Sequence, residues 1–213
     1  MLVTRPYLEQ VKQWPRQGKH ILAQYDDHSV VVYQAYRPAI GEFAVQNGFF
    51  GGPFSYTRMS WIKPNFLWMM YRSQWGCAPG QEIILAVRLR RGFFDEILAA
   101  AVASSFDSNV YQHEQAWRSA LQRSAVRLQW DPDHAPSGGR VNRRAIQLGL
   151  RHSMLARYGK TEPMDIINVC DFVAEQRVFA HSGRHERLVT PREEVYRPDD
   201  AGICRRLGLS DTP

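Results

Sequence analysis

The chain is predicted to fold as one α+β domain, a mainly antiparallel sheet flanked by helices, with a helical C-terminal third. Three observations lead there. Runs with β character, over residues 20–25, 30–36, 81–90 and 126–130, fall in the first two thirds of the sequence, and helical patterns gather at its end. Strands and helices segregated in this way define the α+β class. A length of 213 residues suffices for one sizeable core and is short for two, and no internal repeat or flexible linker divides it. The globular domain is placed at residues 1–180. Residues 181–213, charged and Pro-containing, are read as an extended C-terminal tail packed on or near it.

Each element follows from local chemistry. Thr4 can cap a first helix with Pro6 in its opening turn, running to about Trp14 and closed by Pro15 and Gly18. The runs 20–25 and 30–36, joined by Asp26-Asp-His-Ser29, read as a hairpin. Pro38 opens a short helix over 40–46, and Asn47-Gly48 supplies its left-handed exit. A Gly-rich loop over 49–53 precedes a strand over 54–62, and Pro64 starts a helix rich in tryptophan. Residues 81–90 form the clearest strand, followed by helices over 93–104 and 110–122. Strict alternation over 126–130 gives a strand that breaks at Asp131-Pro-Asp133. Residues 141–158 and 164–179 are read as helices.

Composition narrows the class. Hydrophobic, aromatic and charged contents of 44%, 12% and 23% are those of a water-soluble globular protein, with no apolar run near the ~20 residues of a membrane span. The N-terminus lacks the apolar stretch of a signal peptide, so the expected location is cytoplasmic. Cys77, Cys170 and Cys204 form no C-x-x-C pair, which argues against a disulfide framework or a thiolate zinc site. A net charge of +6, carried almost wholly by arginine, suits an anionic partner such as a nucleotide or a nucleic acid.

The most unusual segment is Arg58-Met-Ser-Trp-Ile-Lys-Pro-Asn-Phe-Leu-Trp-Met-Met-Tyr-Arg-Ser-Gln-Trp-Gly76, with Trp61, Trp68 and Trp75 at seven-residue intervals among Arg58, Lys63 and Arg72. On a helix Trp68 and Trp75 would share a face with Arg72 between them, an arrangement for cation–π contact and for gripping a phosphate. The same spacing also describes an aromatic core helix with one snorkelling arginine. Other candidates surround it. Arg37 ends a strand beside a Gly-rich loop, where an arginine can hold a phosphate or ribose. Glu82 opens the strong strand and is a candidate acid. Arg143, Arg144 and Gln147 would sit at a helix N-terminus suited to an anion. Asp131-Pro-Asp-His134 offers acid–base types, although turn-forming aspartates look the same. His181 and His185 are four apart in a stretch with no converging carboxylate, and no metal is expected. P-loop, Rossmann, G-x-S-x-G and H-E-x-x-H signatures are absent.

Taken together, Val32-Tyr-Gln-Ala-Tyr-Arg37, the Arg58–Arg72 motif, Gln81-Glu82, Gln129-Trp-Asp-Pro132 and Arg144-Ala-Ile-Gln-Leu-Gly-Leu150 resemble the family catalogued as domain of unknown function 4291, over nearly the whole chain. That family carries no established reaction. More loosely, the order Arg37, Ser60, Glu82 is similar to the ADP-ribosyltransferase superfamily. That likeness implies an arginine holding NAD, a serine near the nicotinamide and a glutamate stabilising an oxocarbenium-like ribose. The spacing here is tighter, the Ser-Thr-Ser pattern is missing and a long stretch follows Glu82. The resulting expectation is an enzyme for a nucleotide or phosphate-bearing substrate, with NAD as the sharpest case. Arg37, Arg58, Lys63, Trp68, Arg72, Arg144 and Gln147 would bind, Trp61 or Trp68 would offer the stacking face, and Ser60 and Glu82 would act in catalysis. The alternative is a non-catalytic binder of RNA or single-stranded nucleic acid that uses aromatic stacking and scattered arginines.

Overall fold

Two apolar runs, Val30-Val-Val-Tyr33 and Ile84-Leu-Ala-Val87, set the architecture, because a strand that is apolar at every position must be covered on both faces. The computed structural model describes residues 2–211. In chain order it contains β1 (Thr4–Pro6), α1 (Tyr7–Gln13), β2 (Gly18–Lys19), β3 (Ile21–Ala23), β4 (Ser29–Tyr36), α2 (Pro38–Asn47), β5 (Ser60–Ile62), α3 (Phe66–Ser73), β6 (Ile83–Arg90) and α4 (Arg91–Ala100). There follow β7 (Ala101–Ala103), α5 (Glu114–Arg123), β8 (Val126–His134), β9 (Arg140–Leu150), α6 (His152–Lys160), β10 (Pro163–Asn168), α7 (Cys170–Ser182), β11 (Val189–Pro191), β12 (Glu194–Tyr196) and α8 (Ala201–Leu207). The protein is a single α+β domain with mostly antiparallel sheets, as the sequence predicts.

The central sheet is antiparallel in the order β10-β6-β4, with Val32 opposite Val87. One face, carrying Val30, Val32, Leu85, Val87 and Leu89, packs in a core with residues of α2 and α4. The other, with Val31, Tyr33, Ile84 and Ala86, packs with α3 and α7. A second sheet runs β2-β9-β8-β7, with β5 added on β9. The two sheets meet at one antiparallel bridge, where Tyr33 and Lys63 exchange backbone hydrogen bonds of 2.7 and 3.2 Å. No helix among the described residues is long and apolar enough to cross a membrane.

Several elements differ from the sequence reading. Residues 141–150, expected as helix, form β9, so Arg143, Arg144 and Gln147 have no helix N-terminus near them. Their burial shows why: Arg143 and Ala145 turn to one face, while Ile146, Leu148 and Leu150 turn to the core, and antiparallel pairing with β8 from Val126 to Asp131 locks that period of two. The helix begins only at His152, which itself takes a positive φ of 55°. Residues 163–168 are likewise β10, because β6 needs a partner on its second edge, and α7 starts at Cys170. The helix expected to 104 stops at Ala100, and β7 pairs in parallel with β8. Of the strand expected over 54–62 only β5 is regular. Thr4 lies in β1 and caps nothing; Pro6 is at the helix start. The turn over 26–29 forms, with Asp26 Oδ1 accepting from His28 and Ser29 backbone N–H, but β3 takes its ladder from β12 rather than β4. By contrast α2 ends as read, at Gly48 with φ 72°. Beyond residue 181 the chain packs on the domain and contributes β11, β12 and α8, with Leu188, Thr190, Glu193 and Tyr196 buried.

Helix α2 approaches β6 through Gly41, where an added Cβ would lie 2.6 Å from the Cβ of Ile83. Helix propensity alone would favour Gly41→Ala by about 1 kcal/mol, but a β-branched neighbour on a paired strand yields little and overpacking costs about 1–3 kcal/mol. Gly41→Ala is therefore expected to lower the urea midpoint with an unchanged m-value.

Candidate functional site

Past the Tyr33–Lys63 bridge, β4 and β5 splay apart, and the gap is held by side chains instead of a ladder. Gln34, buried in β4, donates from Nε2 to Ser60 Oγ at 2.8 Å and to the Trp61 carbonyl at 3.1 Å, while its Oε1 accepts from Tyr158 Oη at 2.6 Å. Tyr36 Oη lies 2.7 Å from Ser60 Oγ. The result is a cleft of about 510 Å³ whose walls come from β4, β5, α3, β8 and β9. Gly149 of β9 permits the close approach of β5 that forms its floor, since a Cβ there would lie 2.5 Å from Met59 Sδ and 3.0 Å from Trp61 Cζ2.

Three cations line this cleft: Arg58, Lys63 and Arg72. None makes an ion pair within 4 Å among the described residues. Lys63 is 5% exposed, and burial, reinforced by the charge of Arg72 and opposed by Asp131, brings its pKa down to about 8. Asp131 moves the other way, its carboxyl raised by burial against a hydrogen bond from Gln147 and the charge of Lys63. Gln147 Nε2 bonds Asp131 Oδ2 at 2.6 Å and Gln129 Oε1 at 3.1 Å, joining β8 and β9 across the cleft wall.

The cleft depends on how α3 is held. Asn65 caps it, Oδ1 accepting from the Trp68 backbone N–H at 2.6 Å, and Glu193 from the C-terminal segment accepts from Phe66 N–H at 2.5 Å and Asn65 Nδ2 at 3.3 Å. Glu193 is buried, and its carboxyl is pushed far above the usual range by desolvation. Beside it the buried Arg143–Asp133 ion pair ties β9 to β8, with the Arg143 guanidinium 5.1 Å from the Trp14 ring centre.

The residues singled out from sequence are distributed as follows. Ser60, Arg58, Lys63, Arg72 and Gln147 share the cleft, with Trp61 and Gln81. Arg37 lines an adjoining recess of about 410 Å³ that shares Tyr36, Arg58, Met59 and Ser60 with it. Glu82 is exposed and outside the lining, its Oε1 accepting from Gly80 N–H at 2.7 Å. Trp68 is buried in a stack with Tyr71 and His134. Trp75 lies beyond the end of α3 in a left-handed turn and packs on Phe66, so it shares no helix face with Trp68, and Arg72 is exposed. Arg144 points to the other side of the β8–β9 pair, into a recess with Lys19 and Arg206. The sequence reading missed Gln34, Tyr36, Gln129 and Tyr158. A polar Gln34 inside an apolar strand was the available signal. Among the described residues no cluster of three or more His, Cys, Asp or Glu is arranged to hold a metal.

Fold and cleft together define a single-domain α+β protein with a cationic, amide-lined cleft at the junction of two sheets. The chain belongs to the family described as Domain of unknown function (DUF4291), whose model matches residues 20–196 and so spans every residue of the cleft. No curated protein matches the chain.

Lys63 gives the site a signature in stability. Its folded pKa of about 8 lies below that of an unfolded lysine, so the unfolded state binds more protons between about pH 8 and 10.4 and stability rises with pH across that window. Urea unfolding from pH 7 to 10 is expected to show this rise in the native protein. In Lys63→Met the component is lost, and the variant is the more stable of the two below pH 8.

Proposed function

We propose that this chain is an enzyme that binds a nucleotide or another phosphate-bearing substrate in the cleft of Arg58, Lys63 and Arg72. The observation that carries the reading is the convergence of three cations without a paired carboxylate on one concave surface. Such a surface is electrostatically incomplete until an anion enters, and arginine forks suit phosphate oxygens. Trp61, half-buried in the same wall, offers a planar face for a base. The paired recesses that share Arg58 and Ser60 fit an elongated ligand with a charged middle better than a compact one.

In its sharpest form the reading is NAD-dependent ADP-ribosyl transfer. The bond from ribose to nicotinamide would break, nicotinamide would leave, and an acceptor would bond to the ribose carbon with loss of its proton. Arg37 and Arg58 would hold the pyrophosphate and Ser60 would position the ribose or nicotinamide. Glu82 lies outside the lining and no carboxylate lines the cleft; Asp131 touches it only through its hydrogen bond from Gln147, whose side chain would meet the ribose or nicotinamide in its place.

Titration calorimetry with ADP-ribose and NAD tests the reading. Arg58→Ala, Lys63→Ala and Arg72→Ala are each expected to weaken binding about tenfold, the equivalent of ~1.4 kcal/mol and near the low end for one charge-assisted hydrogen bond. A phosphate beside Lys63 raises its pKa, so binding at pH 8–9 takes up protons and affinity falls as pH rises through 8. No saturable binding at millimolar ligand would remove the nucleotide reading. Binding of NAD without release of nicotinamide in the presence of an acceptor would remove the transferase form alone.

A further inference from the structure

The part of the cleft wall contributed by β8 and β9 is unusual in being built of amides. Gln129 and Gln147 stand directly opposite each other in the β8–β9 register, and both face the cleft. Their hydrogen bonds leave little freedom. An ionised Asp131 can only accept, so the atom of Gln147 that meets Asp131 Oδ2 at 2.6 Å is its Nε2. The second hydrogen of that NH₂ goes to Gln129 Oε1 at 3.1 Å. Gln147 Nε2 is thereby used up. What remains is Gln147 Oε1, an acceptor, and, on its cross-strand partner, Gln129 Nε2, a donor, neither with a protein partner among the described residues. Neither atom is sealed from solvent without a partner, and both residues line the cleft, Gln129 also reaching the recess of Arg144. Trp61 packs over Gly149, two residues along β9 from Gln147, and sets a flat apolar surface beside this pair.

From this arrangement we infer that Gln129 and Gln147 form a reading pair for a planar ring that presents a hydrogen-bond donor next to an acceptor, either a primary carboxamide or an aminopurine edge, seated against Trp61. The inference rests on the proposal that the cleft takes a nucleotide-like substrate, and it names the part of that substrate that is recognised. Paired amides are well suited to this, because a bidentate Gln or Asn contact to such an edge satisfies both partners at once. A ligand that lacks the donor leaves Gln147 Oε1 facing the ring without a partner, and this asymmetry makes the pair selective as well as attractive. Asp131 is the positioning residue, since its charge decides which end of Gln147 faces the ligand.

The test compares ligands that differ only in the donor, using ligand-observed NMR and calorimetry on the full chain. Nicotinamide is compared with N,N-dimethylnicotinamide, and adenosine 5′-monophosphate with its N6,N6-dimethyl analogue. Inorganic pyrophosphate reports on the cationic wall separately. Dimethylation is expected to weaken binding tenfold or more in at least one pair, and the pair that responds identifies the ring as carboxamide or aminopurine. In Gln147→Leu and in Gln129→Leu that difference is expected to shrink to within twofold, with pyrophosphate binding retained as the check that each variant is folded. Pyrophosphate binding together with no discrimination in either pair overturns the reading pair and leaves the nucleotide proposal standing. Discrimination in the nicotinamide pair without pyrophosphate binding supports the reading pair and removes the phosphate proposal. Discrimination that survives both leucine variants also overturns the reading pair.

Discussion

The Tyr33–Lys63 backbone bridge is the constraint on which the rest of this molecule depends. It is one antiparallel pair of hydrogen bonds, yet it joins the edge of the three-stranded sheet to β5 and through β5 to the second sheet. Because it is a single bridge, the strands separate immediately after it, and the space between them becomes the cleft. The Gln34 amide takes over where the ladder stops, bonding a backbone carbonyl and a hydroxyl of β5 and being fixed in turn by Tyr158. The bridge also places the Lys63 backbone inside the junction. Lys63 is buried there beside Arg72, and burial together with that neighbouring charge lowers the pKa of its amine.

Burying so many polar groups around one junction is expensive unless each is satisfied. Gln10 spans Thr190 and the Glu193 backbone N–H, Glu193 spans Phe66 and Asn65, and Arg143 meets Asp133 and the Pro15 carbonyl. Removing one member of a buried ion pair leaves the other uncompensated, at a cost of about 3–5 kcal/mol. This network explains why the segment beyond residue 181 belongs to the domain. It brings the carboxylate that completes the N-terminus of α3, and α3 carries Arg72.

Legibility in the sequence tracked how local each determinant was. The β4 and β6 runs and the Gly48 exit of α2 are written in neighbouring residues and appear in the structure, whereas the break expected at Asp131-Pro-Asp133 is only an irregularity inside β8, which runs on to His134 because β9 pairs with it there. Residues 141–150 read as helix because Arg-Arg-Ala-Ile-Gln-Leu has good helix formers in every position but one. Their strand character comes from pairing with β8 and β5, which no local pattern encodes. The same holds for β10, which is a strand because the edge of β6 is open to it. At the cleft, Arg58, Ser60, Lys63 and Arg72 were legible as a cluster because they lie within one short motif. Gln34, Gln129 and Tyr158 were not, since each acts by meeting a residue far along the chain.

Composition, periodicity and motif are enough to fix the class of fold, the family and the dense cationic and aromatic segment from Arg58 to Gly76. Which members of that segment share a surface depends on long-range packing. Trp68 and Trp75 go into the core, while Arg58, Lys63 and Arg72 stay at the junction and meet Gln129 and Gln147 from the second sheet. Arg37 falls in the neighbouring recess and Glu82 outside the lining. The physical reason is that a cleft at a sheet junction is made of side chains whose proximity is set by strand pairing over long sequence separations, and pairing partners are chosen by the burial of the whole sheet rather than by the residues that line the gap.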